Sequence, residues 1–274
     1  MSSTTISTST SHSFIPPSFS DLRSPCPALN ALANHGYMYA VFILISGQTR
    51  LTGASNRDGR NLTVHALVEA IQHVYNFTKP LAYLLALSGV LLCGNGRTVN
   101  LDRLAKHNVI EHDASLSRQD VQPPNDYSPI PADPYLVDEL MRVSPEMFLV
   151  LKDLAAARVI RESQAVGGPL SPIHAKIARA ESALILQVFG GENSQIDKGT
   201  LRAWLVDGRL HGCWSPPKNR IGIRTTSSAG RRIADIMGST RKLKNTRPSL
   251  LGSYLLASRF LGRELQFLAF GFML

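Results

Sequence analysis

Helical periodicity bounded by proline and glycine is the feature that most constrains the fold of this chain. From Pro172 to Phe189 apolar residues recur three and four positions apart, Ser171 can cap this segment, and Gly190 follows it. The same spacing recurs at residues 29–36, 64–74 and 81–92. No stretch shows the sustained polar and apolar alternation that is typical of half-buried strands. The sequence therefore predicts an all-α fold.

Other segments refine this expectation. Ser144-Pro145-Glu146 predicts the start of a helix that ends at Gly167, and a later helix is predicted to begin near Thr200. The proline-rich residues 123–134 indicate a surface loop. The run 81–92 is apolar nearly all round, which favours a buried core helix, since a membrane span needs about 20 residues. We therefore expect no membrane contact.

Length and composition predict one globular domain. The chain has 274 residues, of which 44% are hydrophobic and 18% charged. Residues 1–23, mostly Ser and Thr at first, are predicted to be a disordered lead-in, and 24–274 to be the domain. This lead-in has no apolar segment typical of a secretory signal, which indicates an intracellular protein as written. The sequence does not predict an oligomeric state.

The net charge of +9 is concentrated near the C-terminus. Residues 218–247 contain nine Lys or Arg residues and one acid, Asp235. Such a stretch can contact nucleic acid, but neither a known nucleic-acid motif nor interleaved aromatic residues accompany it. A solvated basic face is therefore the favoured interpretation, and we expect no nucleic-acid partner.

Cys26 is the first candidate for chemistry. It lies between two prolines, and Pro27 suits the first position of the helix that follows. At a helix N-terminus, unpaired N–H groups and the helix dipole stabilise a thiolate, which can bind a metal or act as a nucleophile. The alternative is a buried cysteine that serves as a small hydrophobic residue. Cys93 and Cys213 are predicted to be such core residues.

Glu181 is the second candidate, because it falls on the apolar stripe of the segment from Pro172 to Phe189. Burial there should raise the pKa of its carboxyl group, which suits a general acid or base. The alternative is a structural ion pair with Arg179 or Arg158.

A polar cluster at residues 111–115 is the third candidate. Glu111, His112, Asp113 and Ser115 place three titratable side chains and a hydroxyl group within five positions. Oxygen donors at this density suit Mg²⁺ or Mn²⁺. Taken alone, the cluster is also consistent with a polar turn.

Two blocks together resemble a known family. Pro25-Cys26-Pro27 through Asn34-His35-Gly36-Tyr37 is similar to the proximal loop of fungal haem-thiolate peroxidases, the chloroperoxidase and unspecific peroxygenase family. Residues 111–118, Glu-His-Asp-Ala-Ser-Leu-Ser-Arg, resemble that family's second signature, at the expected order and spacing. The resemblance extends loosely from residue 24 to 206 and implies a chloroperoxidase-type helical domain around a buried haem. Because well-known members are secreted, it leaves the compartment open.

The resemblance implies a role for each candidate. Cys26 would be the axial haem ligand, and Glu181 the distal acid–base. Glu111 through its carboxylate, His112 through its carbonyl and Ser115 through its hydroxyl would hold a divalent cation, Mg²⁺ in preference to Mn²⁺. The imidazole of His112 would position Glu181. The implied activity is the oxidation of small organic substrates by hydrogen peroxide, through oxygenation or halogenation.

Residues 38–55 interrupt the family pattern between Tyr37 and Asn56. A retained intron is one explanation, and an apolar strand or helix packed on the domain is the alternative. If this insert displaced the helix after Cys26, the chain would be a non-catalytic relative, or a binding module that uses its basic residues 218–247. A tight excursion would spare the site.

Overall fold

A computed structural model of the protein describes residues 12–39 and 56–246. Most of the insert, residues 40–55, lies outside the described residues, as do 1–11 and 247–274. The described chain consists mainly of helices with two small antiparallel sheets, which confirms the predicted all-α class.

The helices are α1 (Pro27–Asn34), α2 (Val64–Tyr75), α3 (Lys79–Ser88), α4 (Pro134–Arg142), α5 (Leu151–Gln164), α6 (Pro172–Phe189), α7 (Lys198–Asp207) and α8 (Ile223–Thr246). A π-helical turn, Gly89–Cys93, continues α3, and a 3₁₀ turn spans Leu101–Ala105. The strands are β1 (Leu62–Thr63), β2 (Thr98–Val99), β3 (Phe148–Leu149) and β4 (Ile196–Asp197). Leu62 pairs with Val99 and Leu149 with Ile196.

Local capping explains several helix boundaries. The Ser171 hydroxyl accepts a hydrogen bond from the His174 amide at 3.2 Å, so α6 begins and ends at the predicted residues. Likewise, the Asp197 carboxylate accepts from the Thr200 amide at 2.7 Å, which places the start of α7 at Lys198, close to the predicted position.

In the middle of the chain, one predicted helix begins later than expected, and one observed helix was not predicted. The helix expected from residue 144 begins only at Leu151, because Phe148 and Leu149 pair with β4 instead. Helix α4 directly follows the proline-rich loop and was not predicted. It begins where the Asp133 carboxylate accepts a hydrogen bond from the Leu136 amide at 3.0 Å.

Helix α6 lies between two hydrophobic clusters. The larger is built around α1, whose Ala31, Leu32 and Ala33 are fully buried, together with α2, α3 and α7. The smaller joins α5, α6 and α8, with Ile233 and Met237 at its centre. The arginines of α8 that the structure describes are exposed, so the predicted solvated basic face lies opposite this packed stripe.

The apolar run 81–92 is only partly buried, contrary to the prediction of a buried core helix. Leu81 and Ala82 pack in the core, whereas Leu84, Leu91 and Leu92 are 54%, 61% and 57% exposed. The buried side of this run is formed mostly by small residues. The hydrophobic pattern alone does not distinguish a helix with one such buried side from a helix that is buried all round. Among the described helices, none is long and apolar enough to cross a membrane.

Residues 12–23 contact the domain, contrary to the disorder predicted for that part of the lead-in. The His12 ring stacks on Tyr37 with 3.9 Å between centroids, and the Ile15 amide donates to the Asn34 carbonyl at 3.0 Å. Arg23 donates two hydrogen bonds to the Asn34 side-chain oxygen, at 2.9 and 2.7 Å. The structured chain therefore begins ahead of the predicted boundary at residue 24.

Candidate active site

A cavity of about 290 Å³ lies between α1, α2, α6 and the loop at residues 110–118. Its walls are mostly apolar, as is usual for cofactor and small-molecule sites. The polar and sulfur-bearing side chains that line it include Cys26, Glu111, His112, Ser115, Arg118 and Glu181. The fold thus brings every predicted site residue, from three separate segments, to one cavity.

A local hydrogen-bond network holds Cys26 in place. Cys26 is the N-cap of α1, with Pro27 at the first helical position. The buried Ser24 accepts a hydrogen bond from the Cys26 amide through its hydroxyl, at 3.2 Å. Asn30, one turn into α1, accepts from the Ser24 amide at 2.9 Å and donates to its carbonyl at 2.8 Å. These bonds fix the turn that presents the sulfur.

The protein environment raises the pKa of the Cys26 thiol, contrary to the expectation from the helix N-terminus. Burial is the largest cause, and the amides of Leu29 and Ala28 act against it without outweighing it. The negative charge of Glu181 adds to the rise, whereas Arg118 opposes it. A cation in the cavity would be needed to favour the thiolate.

Helix α1 is tied to its neighbours close to the sulfur. The Tyr75 hydroxyl of α2 donates to the Ala28 carbonyl at 3.0 Å. At the other end of α1, the Asn34 side chain donates to the carbonyl of Asp207, the last residue of α7, at 3.1 Å. The sulfur is therefore held by contacts to two other helices.

The loop at residues 111–118 contains a strained residue. Ala114 is fully buried and has a positive φ of 61°, a conformation that costs a non-glycine residue about 1–3 kcal/mol. Its amide donates to Asp120 at 2.7 Å, and its carbonyl accepts from Arg158 at 2.6 Å. Because both backbone groups are held, the loop keeps this turn and directs the flanking residues to the cavity.

Asp120 is the anchor of that loop, and its replacement should destabilise the fold. Its carboxylate is buried and accepts from Arg161 at 2.8 Å and from the Val166 amide at 3.0 Å, besides Ala114. We expect Asp120→Ala to lower the free energy of unfolding by about 3–5 kcal/mol, since Arg161 would be left buried without its ion-pair partner.

Chemical denaturation measures this loss, and Asp138→Ala is the matched control. Asp138 pairs with Arg142 and Arg202 on the surface, where the exposed fractions of the side chains are 36% to 69%. That variant should lose at most about 1 kcal/mol. Equal losses in the two variants would contradict the anchoring role of Asp120.

Glu181 and His112 form the central pair of the site. The Nε2 atom of His112 lies 3.4 Å from Oε2 of Glu181. The Nδ1 atom of His112 lies 2.7 Å from the Asp113 carbonyl, which can only accept, so Nδ1 carries a hydrogen. Nε2, the ring nitrogen that faces Glu181, is therefore the one that can gain or lose a proton.

The charges around Glu181 reverse the predicted pKa shift. Burial would raise the pKa of its carboxyl group, but His112, Arg158 and Arg118 together outweigh it and hold the pKa below the usual value. Glu181 in turn raises the pKa of His112 against the effect of burial. The side chain of Glu181 is 57% exposed, and it lines the cavity. The pair therefore favours a charged imidazole ring beside a charged carboxylate.

Two buried arginines complete the charge of the site. Arg118, the last residue of the 111–118 motif, lines the cavity and donates to the Ile130 carbonyl at 2.8 Å. Burial lowers its pKa to about 10. Arg158, one alternative ion-pair partner for Glu181, instead pairs with Glu162 at 3.2 Å. Arg118 has no sequence signal of its own beyond that motif.

The predicted cation ligands also reach the cavity, at Glu111, His112 and Ser115. The Glu111 carboxylate accepts from His107 at 2.9 Å, and burial raises its pKa. Within residues 12–39 and 56–246 there is no group of three His, Cys, Asp or Glu side chains that could hold a metal. A cation here would therefore need the His112 carbonyl and the Ser115 hydroxyl beside the Glu111 carboxylate, which is the ligand set that the resemblance implies.

Sequence comparison assigns the chain to a family of known proteins. A family model described as "Peroxidase, family 2" matches residues 12–40 and 53–219, well over half of the chain. The chain belongs to peroxidase family 2. This confirms the predicted resemblance, and the match begins and ends beyond the predicted limits of 24 and 206. Helix α8 lies outside it.

Two fungal peroxidases are similar to part of this family 2 chain. An aromatic peroxidase, fscJ, of Fusarium equiseti is 32% identical over an alignment that covers 45% of the chain and 31% of the relative. A chloroperoxidase of Leptoxyphium fumago is 31% identical, over 39% of the chain and 26% of the relative. The alignments thus span less than a third of each relative's length.

The family 2 model leaves residues 41–52 unmatched, and these lie within the predicted insert at 38–55. The two ends of the insert meet, because the Asn56 amide donates to the Met38 carbonyl at 2.6 Å. Met38 itself is fully buried in the main hydrophobic cluster. The described residues on either side of the insert thus lie next to each other, with α1 in its packed position.

Proposed function

We propose that this protein is a haem-thiolate peroxidase or peroxygenase that uses hydrogen peroxide to oxidise small organic substrates. One observation carries the proposal: the Cys26 sulfur and the Glu181–His112 pair face the same largely apolar cavity. Such a cavity combines a ligand for haem iron with a group that moves protons. Family membership and the two peroxidase relatives support the same activity.

The residues of the cavity fit a haem. Cys26 would bind the iron as a thiolate, and the iron's positive charge would oppose the burial that raises the thiol pKa. Arg118 would supply a buried positive charge for a haem propionate. Glu111, the His112 carbonyl and Ser115 would hold a divalent cation nearby, Mg²⁺ in preference to Mn²⁺. When bound, a thiolate-ligated haem supplies the chemistry that cleaves the O–O bond.

Glu181 would move the protons of the reaction. As a carboxylate, it can accept a proton from hydrogen peroxide at Oε2 and return it to the departing oxygen, which leaves as water. His112, 3.4 Å away, helps to hold the pKa of the Glu181 carboxyl group below its usual value, which favours the carboxylate that accepts the proton. His112 is in turn fixed by its hydrogen bond to the Asp113 carbonyl.

The cavity walls favour apolar substrates. Residues such as Leu67, Ile71, Leu184 and Ile185 line the space beside Glu181. The relatives are named as an aromatic peroxidase and a chloroperoxidase, so we propose that aromatic compounds or halide are oxidised here. The alternative, a non-catalytic relative or binding module, requires the insert to displace α1. The hydrogen bond between Met38 and Asn56 favours the catalytic function.

The unmatched insert leads to a prediction about the transcript. On the retained-intron hypothesis, we expect the dominant spliced message to lack the codons for residues 38–55. The family match on both sides of residues 41–52 supports this hypothesis. Sequencing of full-length complementary DNA checks it, and a dominant message that contains the insert would contradict it.

The proposed function is tested by loading the purified full chain with haem and recording the spectrum of the reduced, carbon monoxide-bound form. A strongly red-shifted Soret band is expected for thiolate ligation. Peroxide-dependent oxidation of a small phenol should accompany it. Failure to bind haem, or haem binding without peroxide turnover, would overturn the proposal.

A further inference from the structure

A chain of aromatic side chains leads from the cavity towards the surface. Tyr75 lines the cavity and is fully buried next to α1. Its ring lies 6.2 Å from that of Trp214, edge to face at 76°. Trp214 also contacts Phe189, with 5.5 Å between ring centroids. Trp214 itself is not among the residues that line the cavity.

Trp214 ends this chain at the surface. It is half-buried and lies in the irregular segment after α7, beside the exposed His211, Gly212 and Cys213. Its indole N–H donates to the Val74 carbonyl at 3.2 Å, which fixes the ring against α2. Trp214 therefore packs against a residue that lines the cavity while part of Trp214 remains accessible from solvent.

Hydrogen bonding determines whether Tyr75 or Trp214 can lose an electron and remain oxidised. A phenol that loses an electron also has to lose its proton, yet the Tyr75 hydroxyl donates to the Ala28 carbonyl, which is not a base. An indole can lose an electron and keep its N–H proton. Trp214 can keep its hydrogen bond to Val74 in that state, so Trp214 is better suited than Tyr75 to hold the oxidising equivalent.

We propose that Trp214 is a second oxidation site, at which electron-rich phenols too large for the cavity lose one electron to the protein surface. Tyr75 is the bridge between this site and the cavity. The proposal rests on the proposed function, because hydrogen peroxide consumed in the cavity is the oxidant. A substrate at Trp214 need only touch the indole.

The electrons and protons balance. Hydrogen peroxide takes up two electrons and two protons and forms two molecules of water. Each electron comes from the Trp214 indole, which becomes a cation radical and is then reduced by one phenol at the surface. Each phenol loses one electron from its ring and one proton from its hydroxyl group to solvent. The two phenoxyl radicals couple through a new carbon–carbon bond, and two further ring protons are replaced by hydroxyl protons from solvent.

A spin-trapping experiment tests the location of the radical directly. The haem-loaded full chain is mixed with hydrogen peroxide and a nitroso spin trap, digested, and analysed by mass spectrometry. We expect the adduct on Trp214. Freeze-quenched electron paramagnetic resonance should show a tryptophan radical in the native protein and lose it in Trp214→Phe. An adduct confined to Tyr75, Trp204 or Cys213 would overturn the proposal.

A macromolecular substrate tests the activity. Tyramine coupled to dextran is too large for the cavity, and its oxidation is followed by dityramine fluorescence. In Trp214→Phe, we expect the ratio of dextran-tyramine turnover to free tyramine turnover to fall to background. Tyr135→Phe is the matched control, because Tyr135 is an exposed aromatic residue that does not line the cavity. Its ratio should equal that of the native protein.

The two proposals fail in different ways. If neither free tyramine nor dextran-tyramine is oxidised by the native protein, the proposed peroxidase function is wrong. If free tyramine is oxidised and the dextran conjugate is not, or if Trp214→Phe keeps the native ratio, the second site alone is wrong. The spin-trap result needs no variant and therefore decides the case in which Trp214→Phe does not fold.

Discussion

Cys26→Ser is expected to abolish the red-shifted Soret band of the reduced, carbon monoxide-bound protein, and peroxide turnover with it. A serine hydroxyl is a neutral oxygen donor at neutral pH, whereas the proposed ligand is a thiolate whose charge the iron stabilises. The substitution changes one atom and leaves the backbone bonds around Ser24 and Asn30 available. The absorption spectrum of the haem-loaded variant measures the effect.

The other two cysteines of the chain provide matched controls. Cys93 is half-buried at the end of the π-helical turn, and Cys213 is exposed after α7, so the predicted core position is wrong for Cys213. Neither lines the cavity, so Cys93→Ser and Cys213→Ser should keep the native band. If Cys26→Ser kept the band as well, another residue would have to be the ligand, and the assignment of Cys26 would be wrong.

Local sequence signals predicted the parts of the fold that local interactions determine. Helix α6 has the predicted ends because Ser171 and Pro172 act within its own first turn. Helix α5 begins later than predicted, since Phe148 and Leu149 are drawn into a pairing with residues far along the chain. The exposure of Leu84, Leu91 and Leu92 likewise depends on what the rest of the domain leaves uncovered.

The candidate site likewise has features that the sequence predicted and features that depend on the fold. The motifs selected Cys26, Glu111, His112, Ser115 and Glu181, and the fold gathers all of them around one cavity. The direction of the pKa shifts of Cys26 and Glu181 was predicted wrongly. These shifts depend on the balance of burial against charges from other segments, such as Arg158 and Arg118 acting on Glu181. The sequence alone does not show which distant charges come close to each group, so it did not predict the direction of these pKa shifts.

Glu181→Gln is expected to keep haem binding and the carbon monoxide spectrum but to lower peroxide turnover by a factor of about a hundred to ten thousand, the usual contribution of general acid–base catalysis. The amide has nearly the shape of the carboxylate, so the cavity wall should be preserved. It cannot accept a proton from hydrogen peroxide, and it leaves His112 without the negative charge that raises its pKa.

The initial rate of oxidation of a small phenol, normalised to haem content, measures this loss and separates it from a loss of cofactor. Glu192→Gln makes the same chemical change outside the cavity, just after α6, where Glu192 pairs with Lys218 on the surface. That variant should turn over at the native rate. Native turnover in Glu181→Gln would remove Glu181 from the mechanism. His112, whose Nε2 atom lies 3.4 Å from the carboxylate, would then be the next candidate for moving the proton.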